Sequence, residues 1–162
     1  MSIEKVREYF RQYGIEDRIL EFDVSSATVD LAAEAVGVEG ARICKTISLK
    51  TKDGCNIIQM AGDARVDNKK DKALFHEKAK FLTPEEVIEY TGHPIGGVCA
   101  FGIEREDVRV YCDVSLQRFE TVFPACGTGN SAIELTCDEI FRYSKALDWI
   151  DVTKLPEEQP AP

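Results

Sequence analysis

Histidine is scarce in this chain, two in 162 residues, and none of the six cysteines stands in a C-x-x-C pair. Structural zinc is held by clustered Cys and His ligands at short spacings, so no metal ligand set is expected. No apolar run approaches the roughly 20 residues that span a bilayer, and residues 1–5 lack the apolar core of a signal peptide. A membrane partner is therefore not expected, and the cytoplasm is the expected compartment. Positive charge is also short: 20 basic residues stand against 29 acidic, a formal charge of −9. That balance disfavours unaided wrapping of nucleic acid through phosphate contacts. DNA is not an expected partner, and any nucleic-acid substrate has to be gripped locally or presented by a partner. The G-x-x-x-x-G-K-[ST] spacing of a phosphate loop is missing, and no glycine loop sits in the strand-to-helix context of a dinucleotide fingerprint. The cysteines, at 44, 55, 99, 112, 126 and 137, are scattered through predicted strands, a pattern that fits free thiols in a reducing compartment.

A hydrophobic content of 44% supports one sizeable core. One domain is expected over 1–155, followed by a disordered tail, 156–162, rich in proline and glutamate. Ile3, Val6, Phe10 and Tyr13 recur at helical spacing up to Gly14, after which Leu20, Phe22 and Val24 alternate like a strand. Thr28 can cap a helix carrying Leu31, Ala32, Ala35 and Val36, with Gly37 as its stop. A strand over 42–50 follows, turned by Asp53-Gly54 into an antiparallel strand over 55–61. Residues 67–77 read as an exposed helix opened by Asp67, its lysines a solvated face. Thr83-Pro84-Glu85-Glu86 is a capping box with proline at the first helical position, starting a helix that stops at Gly92. Further strands are predicted at 108–112, 121–125 and 131–135, with a turn of helix at 115–119. A second capping box, Thr136-Cys137-Asp138-Glu139, opens a last helix drawn as far as Leu147. The expected class is α+β: a single domain with a mostly antiparallel, partly barrel-like sheet flanked by helices.

Within the strand at 42–50, Lys45 falls in the apolar register with Ile43, Ile47 and Leu49. Burying an unpaired ammonium costs several kcal/mol. Either this lysine snorkels past a sheet edge, or its charge faces a pocket and a ligand. Glycine clusters twice. The segment 92–102 holds Gly92, Gly96, Gly97 and Gly102, and 125–131 holds Gly127 and Gly129 beside Thr128, Asn130 and Ser131. Each is a turn-rich connector or a place where bare amides approach an oxyanion or a sugar hydroxyl. Hydrolytic triads are poorly represented: Cys99 and His93 share one short loop, an arrangement that leaves the sulfur without a clear base. Asp113, at a strand end, reads as a pocket residue or as a cap.

The same residues carry a resemblance. Ile43-Cys44-Lys45-Thr46, the 91–98 loop with Gly96-Gly97-Val98, the strand leading to Asp113, and Gly127-Thr128-Gly129-Asn130 before Ile133-Glu134-Leu135-Thr136 together resemble the YbaK family, relatives of the editing domain inserted in bacterial prolyl-tRNA synthetases. The resemblance covers nearly the whole chain. It implies trans-editing: hydrolysis of the ester joining a wrong amino acid to the 3′ end of a transfer RNA, with tRNA-Pro as the type, and with no metal or organic cofactor. It implies catalytic roles for Lys45, Gly96 and Gly97, and substrate contacts from Phe22, Val98, Asp113, Gly127, Thr128, Asn130 and Ser131. The implied partners are the acceptor 3′ end of an aminoacylated tRNA and an aminoacyl-tRNA synthetase. The alternative is a non-catalytic module that binds an aminoacyl-adenosine-like ligand or a synthetase. Two departures stand out: Ala100 replaces a proline common in the family, and Ala132 replaces an aspartate of the branch acting on cysteinyl-tRNA.

Overall fold

The computed structural model describes residues 2–156; the expected tail, Pro156 apart, lies outside them. In chain order the elements are α1 (Ser2–Arg11), β1 (Leu20–Glu21), α2 (Val29–Val36), β2 (Ile43–Thr51), β3 (Gly54–Ala61), β4 (Arg65–Val66), α3 (Asn68–Phe75), α4 (Pro84–Thr91), β5 (Val108–Asp113), β6 (Thr121–Pro124), β7 (Ser131–Ala132), β8 (Leu135–Thr136), α5 (Cys137–Tyr143), β9 (Trp149–Ile150) and β10 (Thr153–Lys154). Single 3₁₀ turns at Glu16–Arg18, Gly40–Arg42 and Val114–Arg118 link them.

The main sheet has the strand order β8-β6-β2-β3-β5-β9, curled into a half-barrel with helices packed on it. Every residue of β3 is buried. A strand covered on both faces loses the apolar/polar alternation of a half-exposed one, and β3 accordingly carries Asn56 and Gln59 inside. Phe10 of α1 meets Phe101 at 4.7 Å between ring centroids, and both are fully enclosed with Ile58, Met60, Leu116, Ile133, Leu135 and Ile140. Each such side chain contributes about 1.5–3 kcal/mol when removed from water. Among the described residues no helix is long and apolar enough to cross a membrane. All six cysteines are free thiols, five of them buried.

Capping chemistry placed the helices where the sequence puts them. Thr28 accepts from the Leu31 amide and Gly37 ends α2 with φ 84°. Asp67 caps α3, and both capping boxes close, at Thr83–Glu86 and Thr136–Glu139. Four expectations are corrected. The hairpin turn is Lys52-Asp53, with Gly54 already paired to Thr51; at φ 152° its missing Cβ leaves room for the Asp107 carbonyl, 1.9 Å from where that atom would sit. The strand expected through Val24 ends at Glu21, because Phe22 and Ser26 instead hand their amides to the Asn130 and Gly129 carbonyls. The strand over 131–135 divides, β7 pairing with β1 and β8 with β6. Finally α5 stops at Tyr143, since Lys145 turns left-handed at φ 55°.

The sheet is mixed. β2–β3, β6–β8, β1–β7 and β4–β10 are antiparallel, as expected of most ladders, whereas β2–β6, β3–β5 and β5–β9 are parallel. The parallel ladders arise because long crossovers, absent from any local pattern, bring β5, β6 and β9 back alongside the hairpin.

Glu139 ties the second capping box to the start of the chain. Its carboxylate accepts the Thr136 amide at 2.9 Å and the Arg18 guanidinium at 2.8 and 3.1 Å. The Arg18 bond first, then the Thr136 amide, hold its pKa down from 4.5 to about 2. A depressed carboxyl contributes stability that is full above its unfolded value and lost as pH falls through the folded one. Glu139→Ala is therefore expected to lower stability by about 1–2 kcal/mol at pH 7. In urea unfolding across pH, that deficit should shrink between pH 4.5 and about 2. A deficit independent of pH would contradict the assignment.

Candidate functional site

A cleft of about 430 Å³ opens beside β2. Its floor is β2 from Ile43 to Ser48, and its walls are the turn before α2 (Ser26–Thr28), Phe81 and Leu82, the 94–98 turn, and Ser131-Ala132. Lys45 lies in it, half-buried, and burial lowers its pKa from 10.5; Arg65 adds to the lowering and Asp63 opposes it. Among the described residues the Lys45 ammonium has no hydrogen bond or ion pair. The structure thus places this lysine on the lining of a pocket.

The cleft takes its shape from two glycine turns that touch. Gly97 donates its amide to the Pro94 carbonyl at 3.0 Å, which closes a β-turn whose third residue, Gly96, has φ 95°. That position demands glycine. Gly97 demands it for another reason: a Cβ there would lie 2.4 Å from the Thr128 amide nitrogen. The Gly97 carbonyl in turn accepts the Gly127 amide at 2.9 Å. Ala27 wedges against both loops, its Cβ 3.1 and 3.3 Å from where side chains of Gly96 and Gly129 would begin.

The structure thus gathers the expected residues unevenly. Lys45, Gly96, Val98 and Ser131 line the cleft. Gly97, Gly127 and Thr128 form the layer behind it, with the Thr128 and Ser131 hydroxyls 2.9 Å apart and the Ser131 hydroxyl also accepting the Cys126 amide at 3.2 Å. Asn130 fastens this loop to Phe22 by donating its Nδ2 to the Phe22 carbonyl at 3.2 Å. Asp113 lies elsewhere. It is fully enclosed, accepting from the amides of Ser115 and Val152 and from the Thr153 hydroxyl, so it acts as a cap and a clasp for the C-terminal strands. Ala100 is buried against Ile57 and Val87, and Ala132 is on the cleft wall.

Cys99 is wholly buried, and that burial pushes its thiol up to about 12. His93, in the same loop, uses Nε2 on the Phe101 carbonyl at 3.0 Å, and burial lowers its pKa. A thiol that stays protonated and never meets solvent is no nucleophile. Sequence reasoning missed Ser26 and Thr46. Both line the cleft, and each has a buried hydroxyl oxygen with no hydrogen-bond partner among the described residues. Ser26 was hidden by its place before a helix cap, and Thr46 by its ordinary place in a strand. Phe81, 65% exposed at the cleft mouth, gave only the signal of an isolated aromatic between lysines and a helix cap.

Residues 24–143 match the family model of the aminoacyl-tRNA editing domain. The chain is 52% identical over 155 residues to the uncharacterized protein YwhH of Bacillus subtilis (strain 168), covering 95% of this chain and 98% of that protein. It is 26% identical over 136 residues to the proline–tRNA ligase of Thermotoga sp. (strain RQ2), spanning 83% of this chain but 23% of that much longer relative. A crystal structure described as a candidate trans-editing enzyme for prolyl tRNA synthetase superposes with TM-score 0.85 at 28% identity, covering 94% of this chain and 97% of that one. The hypothetical protein APE2540 does so with TM-score 0.81 at 26% identity, covering 93% and 99%.

Because both glycines are required by the loops themselves, alanine at either acts first on the fold. Gly97→Ala is expected to destabilise by about 1–3 kcal/mol, the range of overpacked sites. The midpoint of urea unfolding reads this directly, and an unchanged midpoint would show that the Gly97–Thr128 contact gives way freely.

Proposed function

The chain belongs to the aminoacyl-tRNA editing domain family, and from that premise we propose that it is a trans-editing deacylase that hydrolyses the ester of a mischarged transfer RNA in the cytoplasm. The observation that carries this reading is the half-buried ammonium of Lys45, without a hydrogen bond or ion pair among the described residues, in a cleft bounded by glycine turns. A cation kept without a protein partner is provision for an anion, and the terminal nucleotide of tRNA supplies phosphate oxygens. The similarity to proline–tRNA ligase and to a candidate trans-editing protein favours tRNA-Pro as the substrate and a prolyl-tRNA synthetase as the partner.

The chemistry fits the side chains present. An aminoacyl ester is already activated, so positioning and oxyanion stabilisation supply most of what hydrolysis needs. Water adds to the carbonyl carbon, the tetrahedral oxyanion collapses, and the C–O bond to the ribose breaks, leaving free amino acid and a ribose hydroxyl that has gained a proton. No protein nucleophile is required, in keeping with the buried Cys99. The Gly97 amide is already committed to Pro94 and is not a donor to the oxyanion; the amides of Gly96 and Val98 make no such bond among the described residues and are available to the substrate. Lys45 anchors the 3′ nucleotide. Phe81 and the small wall residues Ala32 and Ala132 bound the space for the amino acid.

A panel of purified, differently mischarged transfer RNAs tests the proposal. At least one should be deacylated, and Lys45→Ala should slow that reaction by about 10- to 100-fold, the equivalent of one charged hydrogen bond, with the fold intact by circular dichroism. Arginine should not restore the rate, since its planar fork is wider than a point ammonium. Cys99→Ser should leave it unchanged. Full activity in folded Lys45→Ala would overturn the site, and specific binding without turnover of any substrate would favour a non-catalytic module.

A further inference from the structure

β2 is paired from Cys44 to Thr51 on one side and interrupted on the other. Toward β3 the register runs unbroken from Cys44↔Ala61 to Thr51↔Gly54. On the outer edge β6 pairs only with Ile43 and Cys44. Pairing resumes at Ser48, which accepts the Leu82 amide at 3.1 Å, and at Lys50, which donates to the Lys80 carbonyl at 2.7 Å. The outward direction of the even-numbered residues is confirmed from the far side. Their partners on β3 turn away from β2: Cys55 donates to the Asp107 carbonyl and Ala61 to the Ser115 hydroxyl. In an antiparallel ladder such residues face each other without bonding and point both main-chain groups away from the partner strand. Thr46, opposite Gln59, therefore points its N–H and its C=O away from β3 into the gap. Neither has a hydrogen bond among the described residues, and Thr46 lines the cleft.

Unpaired main-chain groups on an edge strand are a template for one more strand. Of the three residues between the last β6 partner, Cys44, and Ser48, only Thr46 points its main chain into the opening. We propose that Thr46 binds the aminoacyl moiety of the substrate as a one-residue antiparallel β-bridge. In such a bridge each residue gives its N–H to the other's C=O. An aminoacyl ester carries the same N–Cα–C=O unit: its α-ammonium donates to the Thr46 carbonyl, and its ester carbonyl accepts the Thr46 N–H. As water adds, that same N–H meets the growing charge on the carbonyl oxygen, where a fixed donor contributes most. This inference rests on the deacylase reading. It adds that the invariant backbone of the amino acid, not its side chain, is what β2 recognises, with Lys45 next to it holding the nucleotide.

The test is amide hydrogen exchange by NMR on the intact protein, free and with 3′-deoxy-3′-(L-alanylamino)adenosine, a non-hydrolysable analogue that keeps the N–Cα–C=O unit. In the free protein Thr46 should exchange on the order of 100-fold faster than its neighbours Lys45 and Ile47, although all three lie mid-strand. The analogue should slow Thr46 exchange by about tenfold or more, and the propionyl counterpart, lacking the α-ammonium, should bind about tenfold more weakly. Thr46→Val, which keeps the main chain, should retain both effects. If the analogue shifts Gly96, Val98 and Ser131 but leaves Thr46 exchange unchanged, the bridge is wrong and the deacylase reading stands. Loss of binding in Thr46→Val would assign the contact to the hydroxyl and likewise overturn the bridge. If no cleft amide responds, both fall. A Thr46 amide already protected in the free protein would remove the premise.

Discussion

The site depends on the way β2 is held. Its full pairing with the buried strand β3 fixes it in the middle of the sheet, while its outer edge is gripped only at the ends, by β6 and by the segment around Lys80–Leu82. A sheet interior normally leaves no main-chain group without a partner. The interruption creates the cleft, and the strand that lines it cannot move without breaking its ladder to β3. A rigid element with an open stretch suits a reaction whose barrier is lowered chiefly by placement.

The remaining walls are pinned by backbone contact. Gly97 and Thr128 approach more closely than any side chain would permit, the Gly127 amide crosses to the Gly97 carbonyl, and Ala27 fills the angle between the loops. These contacts set the width of the cleft, so the glycines act on the chemistry through geometry. Lys45 is the opposite case. Leaving an ammonium half-buried without a partner works against folding, by desolvation first and by Arg65 next. Such a group persists where a ligand offsets the penalty on binding.

Much of this was legible in the sequence, for identifiable reasons. Helix ends marked by Thr28, Asp67, Thr83 and Thr136 were local, each set by a side chain within three residues of the amide it caps. Lys45 could be singled out because one charged residue broke a two-residue period. The parallel neighbours β5 and β6 could not be foreseen, since they depend on crossovers, nor could the division of 131–135 between two partner strands. Asp113 shows the limit most clearly. An acid at a strand end has the same local signature whether it faces a ligand or, as here, clasps Val152 and Thr153 some forty positions away. The open edge at Thr46 was also beyond reach, because an unpaired main-chain group leaves no trace in residue type.

The central claim is that Lys45 is kept unpaired for an anion of the substrate. Its side-chain titration, followed by NMR on lysine-labelled protein with and without a 5′-phosphorylated, non-hydrolysable aminoacyl-adenosine analogue, tests that most directly. The account predicts a free-protein pKa for Lys45 below the ordinary lysine value, in the direction burial dictates, and an upward shift when the analogue binds, because an adjacent phosphate favours the charged form. A Lys45 that titrates at the ordinary lysine value and ignores the bound analogue would contradict it.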